Sequence, residues 1–232
     1  MEGLSQLKRR HFNALTAAAI AAGIWPPALA QTAAATPTAN GAGPVSPAIL
    51  IVGDSLSAEY GLQRGRGWVA LLEDRLKQEK VPARVINASI SGDTTSGGRS
   101  RLPALLRQHA PAIVVIELGG NDALRGLPLN MTRDNLTAMA RSSREAGAKV
   151  LLVGMEMPPN YGARYAQEFR EGFVSVAKAE QAALVPFLLK GVADIEDPLR
   201  LFQSDRIHPN ESAQPIMLDN VWPELRKLLP KR

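Results

Sequence analysis

The chain has 232 residues, 45% hydrophobic and 21% charged, with 27 Lys and Arg against 22 Asp and Glu and a formal charge of +5. That length and balance suit one substantial core and argue against global disorder. Cysteine is absent, which excludes disulfides, Cys-ligated zinc, a thiol nucleophile and a lipidated N-terminal cysteine.

The N-terminal segment carries the pattern of an export signal. Lys8-Arg9-Arg10 is a basic region, Ala14 to Ile24 a short Ala-rich apolar stretch, and Ala28-Leu29-Ala30 an A-x-A cleavage site. An amphipathic helix of the mature fold would leave Trp25-Pro26-Pro27 unexplained. Arg9 to Phe12 resembles a twin-arginine signal, but Asn13 stands where leucine often follows, so an ordinary Sec signal stays open. The expectation is an exported protein, periplasmic or secreted, that loses residues 1–30. That removal takes Glu2, Lys8, Arg9 and Arg10 and leaves 24 basic against 21 acidic residues, a net +3. So mild a surplus, without dense Lys/Arg runs, excludes a nucleic-acid partner. No segment reaches the roughly 18 uninterrupted apolar residues of a membrane span, so no stable membrane insertion is expected after signal removal. Residues 31–47, "QTAAATPTANGAGPVSP", lack charge and large apolar side chains and read as a flexible leader. The folded domain is expected over 48–232.

From Ala48 onward apolar runs alternate with helical spacing. Ala48–Val52 reads as a strand, 68–78 as a helix with Trp68, Leu71, Leu72 and Leu76 on one side, and Val85–Ala88 as a second strand. A helix carrying Leu102, Leu105 and Leu106 leads to Ala112–Leu118, "AIVVIEL", the pattern of a strand covered on both faces. A helix around 135–145, a strand at 149–154, a long helix near 166–181 and a short strand at 184–187 follow. The last helix spans about 211–229, with Pro215 and Pro223 expected to distort it. This alternation predicts a three-layer α/β/α sandwich with about five parallel strands, flavodoxin-like in kind. Ligands in such sheets bind beyond the carboxyl ends of the strands, where strand order reverses.

The strand exits hold the unusual chemistry. "IVGDSLS" breaks from an apolar run into Gly53-Asp54-Ser55, with Gly53 expected to permit a sharp exit. Three histidines occur; His11 leaves with the signal, and His109 ends a helix, where the dipole favours a cation without any function. His208 follows Asp205 by three residues, a spacing at which an Asp can orient an imidazole that acts as a base. It is also the spacing of a polar turn before a helix capped by Asn210. "LGGND" offers the Asn121 amide as a donor to an oxyanion, or an ordinary Gly-Asn-Asp turn. Gly92 in "NASISGD" lets an N–H approach a substrate, or is a loop glycine.

Taken together, the blocks Gly53-Asp54-Ser55-Leu56-Ser57, Gly92, Gly119-Gly120-Asn121-Asp122 and Asp205-Arg206-Ile207-His208 resemble the SGNH, or GDSL, hydrolase family. "GDSLSAEYGL", "INASISGDTTSGG", "ELGGNDALRGLP", "PPNYGARY" and "IHPNESAQPIMLDNVWP" are similar to its thioesterase I/arylesterase/lysophospholipase L1 group, with Glu59 where glycine is usual. The resemblance implies a serine nucleophile at Ser55, a base at His208 oriented by Asp205, and an oxyanion hole from the N–H groups of Ser55 and Gly92 and the Asn121 side chain. It implies a small acyl ester or thioester as substrate, and a monomer is expected. Asp54 and Asp122 read as structural hydrogen-bonding residues. Two apolar loops, 123–131 and 155–165, are candidate walls of an acyl groove through Leu124, Gly126, Leu127, Met157, Pro158 and Tyr161, with Gly126 as a possible hinge. Packing over the sheet end is the plainer role for both loops.

No cofactor is expected, and no metal: the mature chain has two His, no Cys and no acids clustered at ligand spacing. A G-x-S-x-G elbow, Walker A glycines and a dinucleotide fingerprint are absent from the sequence. An O-acetylesterase for cell-envelope polysaccharide would expect sugar-stacking aromatics, in which the chain is poor. A non-catalytic binding module would not need Ser55, Asn121, Asp205 and His208 together.

Overall fold

The computed structural model describes residues 46–230. The expectations for the signal at 1–30 and for leader residues 31–45 lie outside the described residues. Five strands form one sheet: β1 (Ala48–Gly53), β2 (Arg84–Asn87), β3 (Ile113–Glu117), β4 (Lys149–Val153) and β5 (Ala183–Val185). All pair in parallel in the order β2-β1-β3-β4-β5. The chain winds outward from β1 to β2, then returns across β1 to β3, so the order reverses between β1 and β3, the switch point beyond which such sheets bind their ligands.

Side chains alternate along the strands, and both faces are covered. One face carries Ile49, Ile51, Ile113, Val115, Leu151 and Val153 against α1 (Trp68–Gln78) and α6 (Gln214–Leu228). The other carries Leu50, Val52, Val114, Ile116 and Leu152 against α2 (Thr95–His109), α4 (Leu129–Glu145) and α5 (Ala163–Ala179). The three-layer α/β/α expectation is met. Trp68 is wholly buried at the start of α1, where its backbone N–H donates to the Gln214 side chain of α6 at 3.0 Å. Among the described residues no helix is long and apolar enough to cross a membrane.

Several boundaries differ from those the sequence predicts. Residues 211–213 form a separate 3-10 turn, and α6 begins at Gln214. Pro215 sits in its first turn, where the missing N–H costs nothing, and α6 runs on through Pro223. The expected loop 123–131 is largely helical. A short helix, α3 (Gly120–Leu124), opens it, and α4 starts at Leu129, six residues before the predicted helix. Gly126, at φ +65°, terminates α3. Its N–H donates to Ala123 O at 3.0 Å and that of Leu127 to Asp122 O at 2.9 Å, the paired bonds of a left-handed helix cap. Helix termination thus accounts for the glycine that the sequence offered as a hinge.

Candidate active site

Ser55 lies in the turn leaving β1, half-buried, and His208 lies in the segment before α6. The fold brings them together across 153 positions of sequence, with His208 Nε2 2.9 Å from Ser55 Oγ. On the other side of the ring, Nδ1 is 2.7 Å from Asp205 Oδ2. Asp205 Oδ1 also accepts the backbone N–H groups of Ile207 and His208 at 2.9 and 3.0 Å. These backbone bonds and the His208 ring stabilise the anion and hold the Asp205 carboxyl down at about 2. The polar-turn reading is also realised: Asn210 accepts the Ser212 N–H and caps the 3-10 turn.

The three expected oxyanion donors lie just past the carboxyl ends of β1, β2 and β3. Among the described residues, the N–H groups of Ser55 and Gly92 meet no protein acceptor. Asn121, in the first turn of α3, gives one amide hydrogen to Asp54 Oδ2 at 2.9 Å and keeps the other. Gly92 holds φ +77°, and its carbonyl accepts the Arg125 guanidinium at 2.8 Å, which ties the Gly92 loop to the end of α3. A Cβ at residue 92 would meet only Arg125 at 3.6 Å. The backbone conformation, rather than crowding, therefore calls for glycine there.

Gly53 is different from what its position suggests. It belongs to β1, and a Cβ would come within 2.8 Å of Glu117 Oε2 and Ser57 Oγ. It makes room for a buried polar cluster rather than for a turn. Glu117 accepts from Ser57 Oγ at 2.7 Å and from the Asp54 N–H at 3.3 Å. Asp54 accepts from Leu56 N at 3.0 Å as well as from Asn121. Burial raises the Asp54 carboxyl to about 6, against the lowering effect of those bonds. Burial, then the charge of Asp54, raises Glu117 well above the usual range. Asp54 thus has the structural part expected of it, and so does Asp122, which accepts from Thr95 N at 2.9 Å and Thr132 Oγ1 at 3.2 Å.

Two other members were not among the expected site residues, and they differ in the signal the sequence carried. Glu117 had one, as the single acid in an apolar strand. Arg101 gave none, yet its Nε donates to Asp93 Oδ2 at 2.8 Å, with further bonds to the carbonyls of Ala88 and Gly53. It joins the exits of β1 and β2 beneath Gly92.

The predicted groove residues divide. Leu124 is exposed, and Leu127 is partly buried beside it. Met157 is 8% exposed and packs into the core over α5. Pro158 and Tyr161 are both exposed, the latter stacked on Tyr165 with centroids 6.5 Å apart. Tyr165 OH donates to Ala123 O at 3.4 Å and so joins the first turn of α5 to α3. His109 ends α2 just before β3, at the amino ends of the strands, whereas Ser55 lies past the carboxyl end of β1. Among the described residues no group of three or more His, Asp or Glu is placed to hold a metal ion.

Residues 51–214 match the GDSL-like Lipase/Acylhydrolase family. The chain belongs to that family. It is an ester-hydrolysing enzyme, as the site's chemistry would suggest. It is 54% identical over 181 residues to Esterase TesA of Pseudomonas aeruginosa, covering 78% of this chain and 89% of that one. Thioesterase 1/protease 1/lysophospholipase L1 of Escherichia coli K12 is 40% identical over 181 residues, 78% of this chain and 84% of the relative. The crystal structure of the psychrotrophic esterase EstA from Pseudoalteromonas sp., inhibited by monoethylphosphonate, superposes with a TM-score of 0.73 at 43% identity, over 78% of this chain and 97% of EstA.

Proposed function

We propose that the protein is an exported serine esterase that hydrolyses carboxylic esters and thioesters of short to medium acyl chain. The observation that carries this reading is the hydrogen-bonded row from Ser55 Oγ through His208 to Asp205, at 2.9 and 2.7 Å. In it, His208 Nε2 takes the Ser55 proton as the oxygen attacks the acyl carbonyl, and Asp205 fixes the imidazole and steadies its positive charge. Asp205 suits that part because it stays ionised down to about pH 2.

Negative charge then gathers on the carbonyl oxygen. The unpaired N–H groups of Ser55 and Gly92 and the second Asn121 amide hydrogen are the donors for it, each worth about 3–4 kcal/mol in the transition state. Asp54 aims the Asn121 amide by taking its other hydrogen. As the tetrahedral intermediate collapses, His208 returns the proton to the leaving alcohol or thiol. Water, deprotonated in turn by His208, hydrolyses the acyl-enzyme. Leu124, Leu127 and Tyr161 are the groove residues that favour an apolar acyl chain. The thioesterase and lysophospholipase named among the relatives support thioesters and lipid esters as the wider substrate class. Export rests on the basic, apolar and A-x-A pattern of residues 1–30.

The test is a 4-nitrophenyl ester series of rising acyl length, hydrolysed by residues 31–232 and by the same chain with Ser55→Ala. The expected result is a profile that peaks at short to medium chains and falls by about 10⁴-fold or more in the variant, the scale of losing a triad member. Activity that survives Ser55→Ala would remove the serine from the mechanism. A response to the acetyl ester alone would point to a deacetylase.

A further inference from the structure

Among the described residues five non-glycine residues hold a positive φ. Lys80, Ala110 and Gln181 follow the last turns of α1, α2 and α5, where that conformation closes a helix. Arg206 sits between Asp205 and His208. Glu59, at φ +59°, closes no helix and lies between Ser55 and the start of α1. In this conformation its Cβ crowds the following carbonyl oxygen. Such strain persists only where neighbouring contacts hold it, and it collects at functional sites.

The Glu59 carboxylate supplies those contacts. Its Oε1 accepts the N–H groups of Gly65 and Gly67 at 3.0 and 2.8 Å, and Oε2 shares the Gly65 hydrogen at 3.1 Å. Gly67 is the N-cap of α1, which has no side-chain cap and no acid in its first turn. Glu59 therefore brings the negative charge that a helix N-terminus favours. A Cβ at residue 67 would come within 2.6 Å of Glu59 Cγ, so the side chain lies directly on the Gly67 backbone. The Glu59 carbonyl accepts the Leu62 N–H at 3.0 Å and closes the turn between them. One residue thus fixes both halves of the loop from 59 to 67.

The next residue touches the Ser55–His208 pair. The Tyr60 N–H donates to Ser55 O at 3.4 Å, and its ring centroid lies 4.4 Å from that of His208, with the planes at 40°. Gln203 Nε2 donates to the carbonyls of Tyr60 and Pro209 at 2.9 and 3.1 Å, while its own N–H donates to His208 O at 2.8 Å. Tyr60 is 50% exposed, so packing alone does not hold its ring there. We propose that Glu59 is a positioning residue that clamps the 59–67 loop and so holds Tyr60 against the His208 imidazole. The inference rests on the proposed roles of Ser55 and His208. Asp205 fixes the imidazole at one edge, through Nδ1, and Tyr60 limits its tilt from one face. Nε2 must stay aligned with Ser55 Oγ, and a misplacement of about 1 Å can cost about 100-fold in rate.

The experiment measures kcat and KM on 4-nitrophenyl butanoate for residues 31–232 and for four variants of that chain. These are Glu59→Gly, Glu59→Gln, Tyr60→Ala and the double variant of Glu59→Gly with Tyr60→Ala. Glycine suits the left-handed backbone, so Glu59→Gly removes the clamp without straining the chain. It is expected to lower kcat about tenfold with KM within about twofold of the parent. Glu59→Gln keeps an oxygen for both glycine N–H groups and should hold kcat within about twofold. In the Tyr60→Ala background, Glu59→Gly should cost less than about twofold more, because its effect runs through the Tyr60 ring. Losses that multiply in the double variant would show that Glu59 acts independently of Tyr60 and overturn the inference. An unchanged kcat in Glu59→Gly, or a loss confined to KM, would overturn it too. A parent chain that leaves the ester intact would overturn the serine-esterase reading and this inference with it. An active parent with multiplying losses overturns this inference alone.

Discussion

Gly92 holds φ +77°, its N–H has no acceptor among the described residues, and its carbonyl is held by Arg125. A methyl group fits there sterically, since it would meet only Arg125 Nη2 at 3.6 Å. Gly92→Ala therefore tests the backbone direction of one donor rather than the packing around it. A left-handed conformation costs an L-residue about 1–2 kcal/mol, so the variant should fold with a melting temperature several degrees lower. As the peptide relaxes, its N–H swings away from the oxyanion position. The expected loss is about 10–100-fold in kcat, a partial loss of one donor, with KM little altered. Steady-state kinetics on a 4-nitrophenyl ester would check this beside a thermal melt. An unaltered kcat would take Gly92 out of the oxyanion hole.

The same residue scale shows what a sequence gives away. Ser55, Asn121, Asp205 and His208 stood out because each is polar at a strand exit or helix mouth, where an apolar core has no use for it. Arg101, Gln203 and Tyr60 did not. A surface-looking arginine, glutamine or tyrosine gains its meaning from partners distant in sequence, such as the 143 positions between Gln203 and Tyr60. Local pattern carries no trace of that.

At the scale of elements, β1 and β3 share a buried acid pair behind the serine. Folding raises both Asp54 and Glu117, so the folded chain keeps protons that the unfolded chain has released. The stability they contribute is full below the ordinary carboxyl values of 3.8 and 4.5; it is lost as pH rises through about 6 for Asp54 and through the raised value of Glu117. Asp93 and His208 also act on Asp54, the first raising and the second lowering it. Glu117→Gln keeps an acceptor for Ser57 and the Asp54 N–H but cannot ionise. Thermal melts from pH 5 to pH 9 should show the parent losing more stability than the variant. The difference should be a few degrees, since about 1 kcal/mol is worth roughly 2–4 °C in a domain of this size. Parallel curves would mean that Glu117 does not ionise over that range.

Strands such as β1 and β3 were legible because residues buried on both faces make unbroken apolar runs. The stretch from Gly120 to Met131 was not. α3 is five residues long, too short for any period to show, and Pro128 marks the start of α4 where a proline more often marks a loop. Glu117 hid in plain sight, since one acid in a seven-residue run hardly changes its apolar character.

For the molecule as a whole, the two cores hold the ends of the described chain to the sheet. Among the described residues their buried members run from Ala48 in β1 to Leu229 just after α6, and they cover both faces of the sheet. The first strand is therefore anchored from its first residue, by pairing with β2 and by the Ala112 N–H, which donates to Ala48 O at 2.9 Å. A chain that starts at Ser46 should thus match the chain that starts at Gln31. Its melting temperature should agree within about 2 °C, as expected where no feature of the fold is removed. Its kcat/KM on a 4-nitrophenyl ester should agree within about twofold. Parallel melts and ester kinetics on the two chains check this. A lower melting temperature or activity in the shorter chain would show that residues 31–45 support the domain and do more than space it from the signal.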